Sequence, residues 1–216
     1  MIRRPPRSTL DRSSAASDVY KRQTELLICT GNPGKVVELK DLLPASFKLL
    51  MLTDVGLPTD LPETGRTLEE NALQKARFAF ERTGLTCVAD DTGLEVSALN
   101  GAPGVYSARY AGDAKDPKAN MTKLLLELRG KSDRTARFRT VMALVSKEGE
   151  HEFIGEVKGR ITEAPRGSLG FGYDPIFLPE MSDLTFAELE SKQKNAISHR
   201  GNAVWKLVRF LHEQGR

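Results

Sequence analysis

Leu26-Leu-Ile-Cys-Thr-Gly-Asn-Pro-Gly-Lys35 passes from an apolar run straight into a turn. An apolar run bounded by Gly and Pro predicts a short buried strand. Val36, Leu39, Leu42 and Leu43 then recur at helical spacing, and Pro44 stops the helix. A tight turn at a helix N-terminus presents free backbone N–H groups to an anion, and Lys35 adds a full charge. This is not a Walker A loop: Gly31 and Gly34 stand too close, and Val36 replaces Ser or Thr. Taken alone, the motif reads as an ordinary turn. Far downstream, Ser191-Lys-Gln-Lys-Asn-Ala-Ile-Ser-His-Arg-Gly201 again sets basic side chains among small and hydroxyl residues. It leads into a helix with Ala203, Val204, Leu207, Val208 and Leu211 on its apolar face. Two such stretches on one chain imply two walls of a single anion pocket.

The 216 residues suit one domain, expected over 24–216. With 39% hydrophobic and 28% charged residues the composition is that of a soluble protein, and no apolar run approaches a membrane span. Cys29 and Cys87 both sit in apolar runs and read as buried free thiols. Residues 1–23 have no hydrophobic periodicity and no signal-peptide core, so a cytoplasmic location is expected. Ser13 to Gln23 looks like translated adaptor sequence fused ahead of Thr24, and disorder is predicted for 1–23. The net charge of +3 belongs to this leader. Its six basic and two acidic residues set aside, 26 basic and 27 acidic remain, a net −1. The body is therefore no nucleic-acid binder by charge.

Between the two walls the chain alternates apolar strands and amphipathic helices. Thr67-Leu-Glu-Glu70 reads as a capping box for a helix burying Leu73, Ala76 and Phe80. Asn71 and Lys75 lie one turn apart on another face, by default a solvated one. Leu85 to Ala89 reads as a strand ending in Asp90-Asp91-Thr92-Gly93, of which one aspartate can face a pocket. Two carboxylates there are a surface turn or a hard-metal site, with equal weight. Thr135–Ser146 and His151–Val157 read as a hairpin, with Arg137, Arg139 and His151 on a solvated face. In Gly167-Ser-Leu-Gly-Phe-Gly-Tyr-Asp-Pro175, glycines permit close backbone approach, Phe171 and Tyr173 supply flat faces, and Asp174 an acceptor. A ligand-base pocket and a glycine turn with core aromatics remain equal readings. Thr185-Phe-Ala-Glu188 is a second capping box. The default for His199 is a packed or capping histidine.

Thr30-Gly-Asn-Pro-Gly-Lys35, Glu70-Asn-Ala-Leu-Gln-Lys-Ala76, Ala89-Asp-Asp-Thr-Gly-Leu94, Gly101-Ala-Pro-Gly-Val-Tyr-Ser-Ala-Arg-Tyr110, Gly170-Phe-Gly-Tyr-Asp-Pro175 and Ser198-His-Arg-Gly201 stand in an order that resembles one family. It is the inosine/xanthosine triphosphate pyrophosphatases, the Ham1-like enzymes of non-canonical purine nucleotides. Each motif is weak alone; in this order they are specific, over about residues 25 to 214.

The resemblance implies an α/β fold: an elongated central mixed sheet with flanking helices, forming two lobes around a cleft, working as a homodimer. It implies Mg²⁺-dependent hydrolysis of ITP, dITP and XTP to the monophosphate and pyrophosphate, with Mn²⁺ a possible substitute. Thr30, Gly31, Asn32, Pro33, Gly34 and Lys35 resemble the triphosphate loop, and Lys75 a phosphate contact. Glu63 and Asp91 resemble the metal ligands, and Asp91 also the general base. Thr92 stands where many relatives have Ser. Phe171, Gly172, Tyr173, Asp174, Lys194, His199 and Arg200 resemble the base-side pocket, where His199 or Arg200 would donate to a 6-oxo group. The nearest rivals are a Maf-like pyrophosphatase of other base preference and a non-catalytic nucleotide-binding regulator.

Overall fold

The structure is a computed structural model that describes residues 24–214. The disorder expected for residues 1–23 lies outside the described residues. In chain order the elements are β1 (Thr24–Ile28), α1 (Pro33–Leu42), β2 (Phe47–Met51), α2 (Leu68–Thr83), β3 (Cys87–Val96), β4 (Pro103–Gly104) and α3 (Pro117–Glu127). They continue with β5 (Thr135–Ser146), β6 (Gly149–Ile161), β7 (Phe177–Pro179), α4 (Ser191–Ile197) and α5 (His199–Glu213). Among the described residues the strands form one seven-stranded sheet, ordered β2-β1-β3-β5-β6-β7, with β4 beside β3. β1 pairs in parallel with β2 and β3; β3, β5, β6 and β7 pair antiparallel in succession. The mixed sheet expected from the resemblance is present.

Strand alternation sorts the core. Leu26 and Ile28 of β1, Val88 of β3, and Met142 and Leu144 of β5 face one side, against Leu39 of α1 and Val204, Leu207 and Leu211 of α5. Leu27, Cys29, Cys87, Ala89, Val141 and Ala143 face the other, against Leu68, Ala72, Ala76 and Ala79 of α2. Beyond these layers the long strands carry a third cluster, with Leu94, Phe138, Ile161, Leu124 of α3, Phe177 and Phe186. Cys29 and Cys87 are buried free thiols, as expected.

The sequence reading needs three corrections. β3 does not end before Asp90 but runs to Val96, pairing Asp90 with Met142, Asp91 with Val141 and Gly93 with Arg139 of β5. Gly93 is no turn glycine; a Cβ there would lie 2.8 Å from the Gly104 carbonyl oxygen of β4. Thr185–Glu188 caps no helix: Thr185 Oγ1 donates to the Arg166 carbonyl, and Phe186 and Leu189 enter the third cluster. The helix begins instead at Ser191, and Ser198 breaks the run into α4 and α5, accepting from Gly201 N as the α5 cap. Arg139 is not simply solvated, because it pairs with Glu69 of α2 and Glu156 of β6.

The first turn of α5 lies directly on β6. A Cβ on Gly155 would come within 1.9 Å of the His199 carbonyl oxygen and 2.6 Å of Ala203 N. Both obstacles are backbone, so α5 itself would have to move. Gly155→Ala is therefore expected to lower the unfolding free energy by about 3 kcal/mol, measured by chemical denaturation. A loss under about 0.5 kcal/mol would show that α5 is free to lift off the sheet.

Candidate active site

One cavity of about 600 Å³ gathers both walls, lined by Thr30–Lys35, Glu63, Lys75, Asp91 and Thr92 on one side. Phe171–Asp174, Lys194, His199 and Arg200 line it on the other. Every residue that the sequence singled out as a site candidate thus borders the same space. A volume of that size suits a nucleotide-sized ligand.

The aspartates of β3 divide between the two faces of the sheet. Asp90 follows Val88 toward α1 and α5, and Asp91 follows Ala89 toward α2. Asp90, only 2% exposed, accepts from Lys35 Nζ at 3.0 Å and Arg200 Nη2 at 3.2 Å. Burial opposes its charge, yet Lys35, Arg200 and Lys75 outweigh that and hold its carboxyl far below the usual range. Asp91 accepts from Asn71 Nδ2 at 3.1 Å and lies 3.8 Å from Lys75 Nζ. Burial pushes its carboxyl upward, with Lys75 and Lys35 only partly offsetting it.

Lys75 is the centre of the acidic side. Its ammonium donates to Glu63 Oε1 at 2.5 Å and to the Asp90 carbonyl at 2.7 Å. Burial works against that charge, but Asp91, Glu63 and Asp90 together keep its pKa above the ordinary lysine value. The default reading of Lys75 as a solvated residue is thereby overturned; it is 5% exposed. α2 brings it there because residues 71 and 75 share one helical face turned toward β3.

The loop at Thr30–Lys35 differs from expectation. Three of its N–H groups are engaged locally: Asn32 Oδ1 accepts from Gly34 N at 2.9 Å and Lys35 N at 3.2 Å, and Thr30 Oγ1 accepts from Asn32 N. Asn32 is the N-cap of α1, a local side-chain bond that competes with any incoming anion. Gly34 earns its place through contact, since a Cβ there would lie 2.6 Å from the Phe171 ring. The two walls meet at that point.

The base-side candidates are tied down by charge. Lys194 Nζ bridges Glu38 Oε1 at 2.5 Å and Asp174 Oδ2 at 2.6 Å, and Arg200 pairs with Glu38 as well as Asp90. Thr92 Oγ1 sits in the same cluster, 2.7 Å from Thr140 Oγ1 and 3.2 Å from Arg200 Nη2. The Arg200 guanidinium is therefore engaged by carboxylates rather than held open as a donor. Tyr173 is a core residue of the third cluster, its hydroxyl donating to the Ser107 carbonyl at 2.9 Å. Gly170 and Gly172 serve positive φ angles of 72° and 64°, which lets Asp174 Oδ2 accept from Phe171 N at 2.8 Å. His199 stacks on Phe138 at 4.6 Å with no partner for Nδ1. Burial, then Arg200 and Lys194, depress its pKa well below the ordinary value.

The sequence profile of the Ham1 family matches residues 26–210. The chain belongs to the Ham1 family. A protein of Christiangramia forsetii named dITP/XTP pyrophosphatase is 50% identical over 87% of this chain and 98% of its own length. One of Bacillus subtilis with the same name is 48% identical, over 87% and 96%. The solved Staphylococcus aureus Ham1 protein superimposes with a TM-score of 0.80 at 42% identity, covering 88% of this chain and 99% of that one. The Ham1 protein of Coxiella burnetii gives 0.81 at 42% identity, over 88% and 98%.

Glu38 is absent from the sequence-based reading, where Asp90 stands only as an alternative to Asp91 and Asn71 only as a helix-face neighbour of Lys75. A buried glutamate one turn after Lys35 on α1 is the available signal for Glu38, since a lone acid on an apolar helix face needs a cation. Among the described residues no group of three or more His, Cys, Asp or Glu side chains is placed to hold a metal. Glu63 and Asp91 still suit a hard divalent ion, because Mg²⁺ typically takes one or two carboxylates and completes its shell with water and phosphate oxygens.

The buried neutral His199 makes stability pH-dependent. Unfolded, it takes up a proton near pH 6.5; folded, its lowered pKa resists, so the unfolded state binds more protons below that point. Stability should fall as pH drops from about 6.5 toward 5, by up to about 1.4 kcal/mol per unit. His199→Phe, which keeps the ring on Phe138, should flatten the fall of Tm over that range. An unchanged slope would assign the acid sensitivity to other groups.

Proposed function

We propose that this chain hydrolyses non-canonical purine nucleoside triphosphates such as dITP, ITP and XTP to the monophosphate and pyrophosphate. The observation that carries this reading is the single cavity joining a lysine-and-carboxylate wall to a wall of Phe171, His199 and Lys194. The Ham1 relatives named dITP/XTP pyrophosphatase at about half identity supply the substrate class.

A triphosphate carries roughly four negative charges and would be repelled by Glu63 and Asp91 unless cations intervene. We assign these carboxylates to a divalent ion, Mg²⁺ or Mn²⁺, which when bound would neutralise phosphate charge and acidify a water. Lys35 and Lys75 leave their acidic partners for the phosphate chain and stabilise the charge that develops on the leaving pyrophosphate. Water oxygen bonds to the α-phosphorus, the α–β bridging bond breaks, and Asp91 accepts the water proton. Asn32 releases the N–H groups of Gly34 and Lys35 to phosphate oxygens at the α1 N-terminus.

On the base side His199 donates to the 6-oxo group, because Arg200 is already engaged by Glu38 and Asp90. An adenine amino group would leave that donor unmatched. We extend the reading to a homodimer and a cytoplasmic location on the family resemblance alone. Among the described residues no helix is long and apolar enough to cross a membrane.

Pyrophosphate release from ITP, XTP, GTP and ATP with and without Mg²⁺ tests the assignment. Metal-dependent release from ITP and XTP is expected; tight nucleotide binding without release from any purine would point to a regulator. Asp91→Asn should lower kcat by about 10²-fold or more while the fold persists, and near-wild-type turnover would withdraw its role as base. His199→Ala should narrow the preference for ITP over ATP by about tenfold or more. Full retention of that preference would move base reading elsewhere.

A further inference from the structure

Asn71 sits in the first turn of α2 and is 1% exposed. Its amide has both ends engaged. Nδ2 donates to Asp91 Oδ2 at 3.1 Å, and Oδ1 accepts from Gly65 N at 2.8 Å. The orientation is forced: a backbone N–H only donates and an ionised carboxylate only accepts, so no flipped amide satisfies both. Gly65 is the residue that permits this approach, since a Cβ there would lie 2.5 Å from Glu70 Cβ and 2.9 Å from Asn71 Oδ1.

The loop held in this way carries Glu63, and it belongs to no strand or helix. Its position depends on side chains of α2. Gln74 accepts from Thr64 N and donates to Thr64 Oγ1, both at 2.9 Å. Asn71 adds the only bond in this set that reaches onward to Asp91 on β3. Lys75 also spans Glu63 and Asp91, but as a cation it is drawn to phosphate when substrate arrives. The uncharged amide has no such competitor and keeps the two carboxylates in register while the lysine moves.

We infer that Asn71 is the positioning residue of the reaction, an uncharged clamp that fixes Asp91 and the Glu63 loop relative to each other. This rests on the hydrolase reading above for its catalytic consequence, but the clamp itself acts on the divalent-cation site. Partners that orient metal ligands affect affinity or activity by about 10- to 100-fold when removed.

The test is Mn²⁺ binding to the nucleotide-free protein, followed by electron paramagnetic resonance of free Mn²⁺, alongside steady-state kinetics with ITP at saturating Mg²⁺. Asn71→Leu should weaken Mn²⁺ binding by about tenfold or more and lower kcat by a similar factor, with KM within about threefold. Mn²⁺ affinity within about twofold of wild type would reduce Asn71 to a packing residue and overturn the inference, whatever happens to kcat. Asn71→Asp is the second variant, in case Leu is not tolerated. It retains an acceptor for Gly65 N, loses the donor to Asp91 and sets a second carboxylate beside it. It is read by kcat alone: a fall of about tenfold or more supports the clamp, and wild-type turnover refutes it. Wild-type protein run in parallel keeps the two readings apart. Absence of pyrophosphate release from wild type refutes the hydrolase, whereas equal Mn²⁺ affinity in wild type and Asn71→Leu refutes the clamp.

Discussion

The buried charge of Asp90 is the constraint on which the rest of the site depends. An ionised carboxylate in the middle of a sheet costs several kcal/mol unless cations meet it. Lys35 from α1 and Arg200 from α5 do so. Each of these cations is itself buried or nearly so, and each therefore dictates where its helix can lie. Arg200 needs a second anion, which Glu38 provides; Glu38 in turn takes Lys194, and Lys194 takes Asp174. The chain of alternating charges runs from Lys35 in the first turn of α1 to Asp174 without interruption. Removing one member would strand the next.

This arrangement explains how two distant stretches of sequence act as one site. Glu38 belongs to the helix that follows the Thr30–Lys35 turn, and its partners belong to α4 and α5. The pairings hold the walls together at the distance at which Phe171 rests on Gly34. On the opposite face of β3, Asp91, Asn71, Lys75 and Glu63 form a second polar group, partly open to the cavity. One strand thus separates a charge cluster that shapes the pocket from a cluster equipped for chemistry. Pleat alternation at Asp90 and Asp91 is the whole mechanism of that separation.

Much was legible in the residue order. Apolar runs, helical spacing and Pro44 predict the strand–turn–helix opening, and Thr67 does cap α2 by accepting from Glu70 N. The order of the motifs pointed to the family and to the residues that line the cavity. Misreadings fell where a local rule met a tertiary one. Asp-Asp-Thr-Gly looks like a turn by composition, yet β5 pairs with all four of its residues and holds them extended. Thr185–Glu188 has capping residues, yet Phe186 and Leu189 gain more from the third core cluster than from a helix.

By itself the sequence determined which elements form and which family pattern they follow, because propensity, capping and apolar period are local. Only the tertiary structure decided the state of the polar side chains. Tyr173 became a core residue, Asn32 capped its own helix, Lys75 went inside, and Arg200 was bound by two acids. A charged side chain is compatible with either a solvated face or a buried pair. The choice between them rests on partners more than a hundred residues away, such as Glu38 for Lys194 at a separation of 156.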